Sequence, residues 1–234
     1  VLSKQPLVSF IMPTLNRPEL LQRALRSVAN QDYDNYEAIV INDAGQDVSA
    51  VVAEFPFARL INHERNLGLS AARNTGIKNA EGYYLGYLDD DDWLYTNHAR
   101  VLVDALSGGY RAAYGDAHLQ KYDMVLDVSM SKDWSKEKIR DCNLFPVCCV
   151  MHEASLIEET GLFDVNLPSH EDWDLWLRIS DICEFIHVNE ITCVVDQSLP
   201  DRMGMDSNLM MRGLALVAKK IVTREREDAI NHRM

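Results

Sequence analysis

Four consecutive aspartates, Asp89 to Asp92, follow the apolar run Tyr83 to Leu88 and precede Trp93. Carboxylates that close repel one another, so a strand delivering them to its carboxyl end needs a cation or a donor-rich ligand to offset the charge. Hard oxygen donors in a loop suit Mg2+ or Mn2+, which keep waters and share coordination with substrate phosphates. In an extended segment side chains alternate. Asp89 and Asp91 are therefore expected on one side, Asp90 and Asp92 on the other, with Asp90 facing away from the ligand. A calcium loop would want a central Gly and a closing Glu, which Trp93-Leu94-Tyr95 does not supply. The plain alternative is a solvated acidic loop that caps the next helix.

Other residues could join this chemistry or serve the fold. Asp43 ends an apolar run with Gly45 just beyond, the setting of a turn residue as well as of a hydrogen-bond acceptor. Arg73 lies inside a helical stretch, and its guanidinium offers fixed donors to a base carbonyl or diphosphate oxygen, or to a surface carboxylate. Glu171 and Asp172 open a helix that carries Trp173, Leu175, Trp176 and Ile179. Acids there interact well with the helix dipole whether or not they react. Trp173 and Trp176 are expected in the core rather than as a sugar-stacking wall, and Asp174 with Arg178 as an i,i+4 pair. His170 and His187 are read as packed or solvated residues rather than metal or phosphate contacts.

The elements that must position these residues follow from hydrophobic periodicity. Apolar runs at Leu7 to Met12, Ala38 to Ile41, Arg59 to Ile61 and Tyr84 to Leu88 predict short strands. Helical patterns or loops separate them. Leu21, Ala24, Leu25 and Val28 recur at helical spacing after Pro18 and Glu19, with Asn16 as the expected cap. Further helices are expected over about 68–80 and 96–106. That alternation predicts an α/β fold with a mostly parallel, Rossmann-like sheet and helices on both faces. After Gly108-Gly109 the pattern is mixed. Strands are expected at Ala112 to Tyr114, Leu119 to Tyr122, Met124 to Met130, Val147 to Met151, Phe185 to Val188 and Thr192 to Val195. Helices are expected at Glu153 to Thr160 and Asp172 to Ile179. Met210, Leu214, Val217 and Ile221 then mark an amphipathic helix that gives way to charge at Arg224 to Asp228.

The 234 residues can bury a sizeable core. Thirty-six acidic against 23 basic residues give a formal net charge of -13, which argues against a bare nucleic-acid binder. The five cysteines, Cys142, Cys148, Cys149, Cys183 and Cys193, show no ligand-type spacing and are read as reduced, partly buried thiols. No run reaches the roughly 18 to 20 apolar residues of a spanning helix, and no signal-peptide pattern opens the chain. A cytoplasmic setting is expected, with peripheral contact at the inner face of the membrane left open. The chain opens on Val1 rather than Met, which leaves open a module of a longer protein.

Five segments occur in one order: Val8 to Thr14, Ala38 to Asp43, Asn66 to Asn74, Leu88 to Trp93 and His170 to Trp176. Together they resemble family 2 of the GT-A glycosyltransferases, inverting enzymes that use a nucleotide-diphosphate sugar. The resemblance covers about residues 7 to 196. It implies a GT-A domain over 1–198, with a nucleotide-binding half at about 1–110, a smaller mixed acceptor-side half at about 111–198, and a helical tail at 199–234. It implies that Pro13 and Thr14 line the nucleotide pocket and that Asp43 accepts from the imide of a uracil or thymine ring. Asn66 would shape the loop into the helix, and Arg73 would approach the nucleotide. The family's Asp-x-Asp pattern makes Asp89 the ribose-side residue and Asp91 the ligand of Mn2+ or Mg2+. Asp92 would hold the loop or the donor sugar. Asp172 is assigned as general base, with Glu171 orienting the acceptor.

The implied activity is transfer of a sugar from a nucleotide-sugar donor, a UDP-sugar in preference to a dTDP-sugar, to a hydroxyl of a glycan or lipid-linked glycan. Bacterial-type polysaccharide assembly is the expected setting. Two departures stand out: Asn42-Asp43-Ala44-Gly45 replaces the more usual Asp-Asp-Gly-Ser, and Asp90 replaces a commonly small residue. A nucleotidyltransferase that makes sugar nucleotides is a second reading, but residues 13–19 lack the Gly-rich phosphate loop it would show. A catalytically silent glycosyltransferase-like binding module is a third. The retention of Asp43, Asp91 and Asp172 together weighs against it.

Overall fold

The computed structural model describes residues 5–122, 124–129, 131–198 and 206–231, with backbone alone at 127–129 and 225–231. In its first half, β1 (Val8–Thr14), β2 (Tyr36–Asn42), β3 (Ala58–Asn62) and β4 (Tyr84–Tyr87) lie parallel in the order β3-β2-β1-β4. Three helices connect them: α1 (Pro18–Ala29), α2 (Ser49–Val52) and α3 (Leu69–Asn79). Every residue of β1 is buried, as an apolar strand covered on both faces requires. Ile11 faces α3, where Gly76 packs so close that a Cβ would sit 2.5 Å from Ile11 Cγ2 and 2.7 Å from Ile41 Cδ1. Phe10, its neighbour, points to the other face. It meets His98 at the head of α4 (His98–Ser107), with ring centroids 6.1 Å apart.

The second half extends the same sheet. β8 (Val150–Glu153) pairs antiparallel with both β4 and β6 (Ala112–Lys121), and β9 (Phe185–Asp196) runs parallel to β6. β5 (Trp93–Leu94) pairs with β9, and β7 (Met124–Ser129) with β6. The mixed acceptor-side strands are thus fused edge to edge with the parallel half. Because β1 has β2 on one side and β4 on the other, the chain reverses direction across the sheet there. The carboxyl ends of these strands form the crevice in which open α/β sheets bind ligands.

Several expectations shift. Residues 112–114 and 119–121 belong to one strand, which ends before Tyr122, and 185–188 and 192–195 belong to another. Register irregularities between Tyr114 and Ala117 break the alternation that a single strand would otherwise show. Val147 to Met151 is not one strand: Val147–Cys149 is a 3-10 turn that leads into β8. A short apolar run cannot distinguish the two, since both are buried. Helix α6 (Leu156–Thr160) starts later than Glu153 because Glu153 still pairs in the sheet. Asn16 is not the cap of α1. Arg17 holds that position, while Asn16 takes a left-handed φ of 57° and accepts from the Gln46 backbone N–H at 2.8 Å. The short α5 (Lys138–Asp141) carried no readable period.

Trp173 and Trp176 on α7 (Glu171–Ser180) are core residues, and the Trp173 indole donates to the Ile139 carbonyl at 2.6 Å. Arg178 pairs with Asp174 at 2.9 Å. The final helix, α8 (Ser207–Asn231), buries Val217 and sends Lys220 to Asp164 at 2.6 Å and Asp174 at 3.0 Å. It continues past Arg224. Met130 and residues 199–205 of the expected tail lie outside the described residues. Among those described, no helix is long and apolar enough to cross a membrane.

Candidate active site

A cleft of about 520 Å3 opens at the carboxyl ends of β1, β2 and β4, within the range of small-molecule sites. Pro13 and Thr14, Asp43, Asn66, Asp89, Asp90 and Asp91 all line it. Asp43 is held by its neighbours: Oδ1 accepts from Leu67 N at 2.9 Å and lies 2.7 Å from His63 Nδ1, and Oδ2 accepts from Gly68 N at 2.8 Å. A carboxylate has about four acceptor positions, so capacity remains on Oδ2. Asn66 Oδ1 also takes the Gly68 N–H, at 3.1 Å. Gly68 has φ +89°, which favours glycine and lets the loop turn into α3.

The aspartates do not alternate, because residues 89–92 fold into a tight turn closed by Asp92 N donating to Asp89 O at 3.2 Å. The turn corrects the expectation that Asp90 faces away. Its Oδ2 accepts from Thr14 Oγ1 at 2.8 Å, its Oδ1 from Arg17 Nη1 at 3.3 Å, and it helps line the cleft. Asp92 is buried and holds the loop, accepting from Asp196 N at 2.9 Å. Carboxylate oxygens of Asp89, Asp91 and Asp92 come within 4.8 Å of one another. Burial, then Asp89 and Asp90, push Asp91 up to about 6 despite Arg17 Nη1 at 3.1 Å. Three converging oxygen donors with a surplus of negative charge fit a hard divalent cation.

Arg73 lies elsewhere than a simple nucleotide contact would require. It is almost wholly buried, and it joins the two acidic regions: Nη2 donates to both oxygens of Asp89 at 2.7 and 2.9 Å, and Nη1 donates to Glu171 Oε1 at 2.6 Å. Burial disfavours its charge, but Asp89 and Glu171 outweigh that and raise its pKa. Asp172, next in sequence, accepts from Trp173 N at 2.7 Å and from Asn143 Nδ2 at 2.9 Å. Burial, then the neighbouring Glu171 charge, raise it to about 6. A carboxylate so placed is a stronger base than an ordinary one and is still ionised at neutral pH.

The sequence model of the family described as Glycosyl transferase family 2 matches residues 9–155. The chain belongs to glycosyltransferase family 2. An uncharacterized glycosyltransferase of Rickettsia typhi is 33% identical to this family 2 chain over 193 residues, covering 76% of it and 60% of the relative. The chain therefore spans about three-fifths of that relative's length. S. aureus TarS 1–349 in complex with UDP-GlcNAc superposes with a TM-score of 0.70 at 19% identity, over 84% of this chain and 60% of that one. The mannosyltransferase PcManGT from Pyrobaculum calidifontis, in complex with GDP-Man and Mn2+, gives 0.63 at 18% identity, over 86% and 59%. These likenesses establish the GT-A fold of the family 2 domain.

Sequence reasoning missed Arg17, Asn143 and His63. Arg17 had a signal, as a basic residue between the first strand and its helix. Asn143 had none, since it sits in a loop that only tertiary packing brings to Asp172. His170 packs beside Ser169 Oγ, 2.9 Å away, and burial lowers its pKa. His187 lies 2.9 Å from Asp116 and stacks on Tyr114. Both have protein partners. The cysteines are free, as expected, but Cys148, Cys149 and Cys193 form a buried cluster that their spacing did not suggest.

Proposed function

We propose that this chain transfers a sugar from a nucleotide-diphosphate sugar, a UDP-sugar in preference to a dTDP-sugar, to an acceptor hydroxyl with inversion at the anomeric carbon. The observation that carries this reading is Arg73, which ties Asp89 in the donor cleft to Glu171 beside the candidate base Asp172. Asp43, Pro13, Thr14 and Asn66 would receive the base and ribose, with Asp89 on the ribose side. Asp172 would take the proton of the acceptor hydroxyl, its carboxylate fixed by Asn143 and the Trp173 amide. The freed oxygen forms a bond to the anomeric carbon as the bond to the diphosphate breaks on the opposite face, and the bonding pair leaves with the diphosphate. Asp91, with Asp89 and Asp92 beside it, would hold Mn2+ or Mg2+, which when bound offsets charge on the leaving diphosphate. Glu171 orients the acceptor.

UDP recognition draws support from TarS, which binds UDP-GlcNAc on the same fold. Mn2+ use draws support from PcManGT. A glycan or lipid-linked glycan acceptor, in polysaccharide assembly on the cytoplasmic side of a membrane, completes the proposal. Calorimetry with UDP and Mn2+, followed by a panel of nucleotide sugars scored for hydrolysis, tests it. Asp91→Ala is expected to abolish the metal-dependent reaction. A panel with no turnover and no metal-dependent nucleotide binding would overturn the reading.

A further inference from the structure

Behind the aspartate turn, three cysteines from two separate segments converge. Cys148 and Cys149 come from the 3-10 turn before β8, and Cys193 from β9. All three are fully buried. Cys193 Sγ lies 3.5 Å from the sulfur of Cys148 and 3.5 Å from that of Cys149, and all three sulfurs fall within 4.8 Å of one another. Asp116 closes the other side, its backbone carbonyl 4.0 Å from Cys193 Sγ.

We propose that Cys148, Cys149 and Cys193 form a site for a thiophilic divalent cation, Zn2+ being the natural candidate. A Zn–S bond of about 2.3 Å in a tetrahedral site places sulfurs about 3.8 Å apart, so the two 3.5 Å spacings to Cys193 need only a few tenths of an ångström of adjustment. A disulfide would need about 2.0 Å and would strand the third sulfur. On binding, the three thiol protons leave to solvent and three metal–sulfur bonds form. The two metal sites differ in chemistry: hard oxygens face the cleft and soft sulfurs face the core. Loading of the thiol site would tie the 3-10 turn before β8 to β9.

The test uses reduced, chelator-treated protein in excess Mg2+, titrated with Cd2+ while the ultraviolet thiolate-to-cadmium charge-transfer band is followed. Native mass spectrometry with Zn2+ counts ions per chain. The expected result is one thiolate-bound ion per chain, with the band lost in Cys149→Ser and in Cys193→Ala but kept in Cys142→Ser and Cys183→Ser. Circular dichroism of the metal-free variants separates lost binding from lost folding. Asp91→Asn is expected to keep the band, so this site and the transferase reading fail independently. A wild-type chain with no band, or a band that survives in folded Cys193→Ala, would overturn the proposal.

Discussion

Two arginines serve the same run of aspartates in different ways. Arg73 is 1% exposed and locked between Asp89 and Glu171, with its guanidinium carbon 5.4 Å from the centre of the Phe163 ring. Arg17, at the mouth of the cleft, keeps about a quarter of its side chain in solvent and spans Asp90 and Asp91. The buried pair fixes geometry, because removing one partner would leave charge stranded in protein. Arg17 only partly offsets the burial and neighbouring charges that raise Asp91 to about 6. One arginine builds the site; the other stands where a cation would compete for its carboxylates and a diphosphate for its guanidinium.

Breaking the buried arrangement should have the largest effect. Arg73→Ala leaves Asp89 and Glu171 unpaired and is expected to cost about 3–5 kcal/mol in unfolding free energy, measured by denaturant titration. A loss below about 1 kcal/mol would show that Arg73 is not the structural partner described. The pH profile is next in size. With Asp172 at about 6 as base, kcat should fall about tenfold per pH unit below that value and level off above it. A flat profile down to pH 4 would remove Asp172 from that role. The smallest effect is expected at the partly buried Arg17. Arg17→Ala should cost less stability than Arg73→Ala, because Arg17 keeps about a quarter of its side chain in solvent, while tightening Mn2+ binding and weakening that of UDP, both read by calorimetry. Unchanged affinities would mean that Arg17 does not compete at the site.

The parallel half was largely legible from sequence, since β1, β2, α1, α3 and β4 each carry an apolar pattern of the right period. The mixed half was harder. β6 and β9 were read as broken strands because register irregularities interrupt alternation, and β5 is two residues long. In the site, the residues lining the cleft could be read because they end strands. Asp90 was misplaced because a tight turn, rather than extended chain, carries the run. The Asp89–Arg73–Glu171 bridge links residues 16 and 98 positions apart, and no local pattern reports such a contact.

Those two carboxyl regions are proposed to divide the work, donor and cation on one side of Arg73 and proton removal on the other. The direct measurement is Asp172→Asn, assayed for transfer from a UDP-sugar that the wild-type chain turns over and, in parallel, for UDP and Mn2+ affinity by calorimetry. The account predicts a fall in kcat of about 100- to 10,000-fold with both affinities within about twofold of wild type. Undiminished turnover in Asp172→Asn would contradict it.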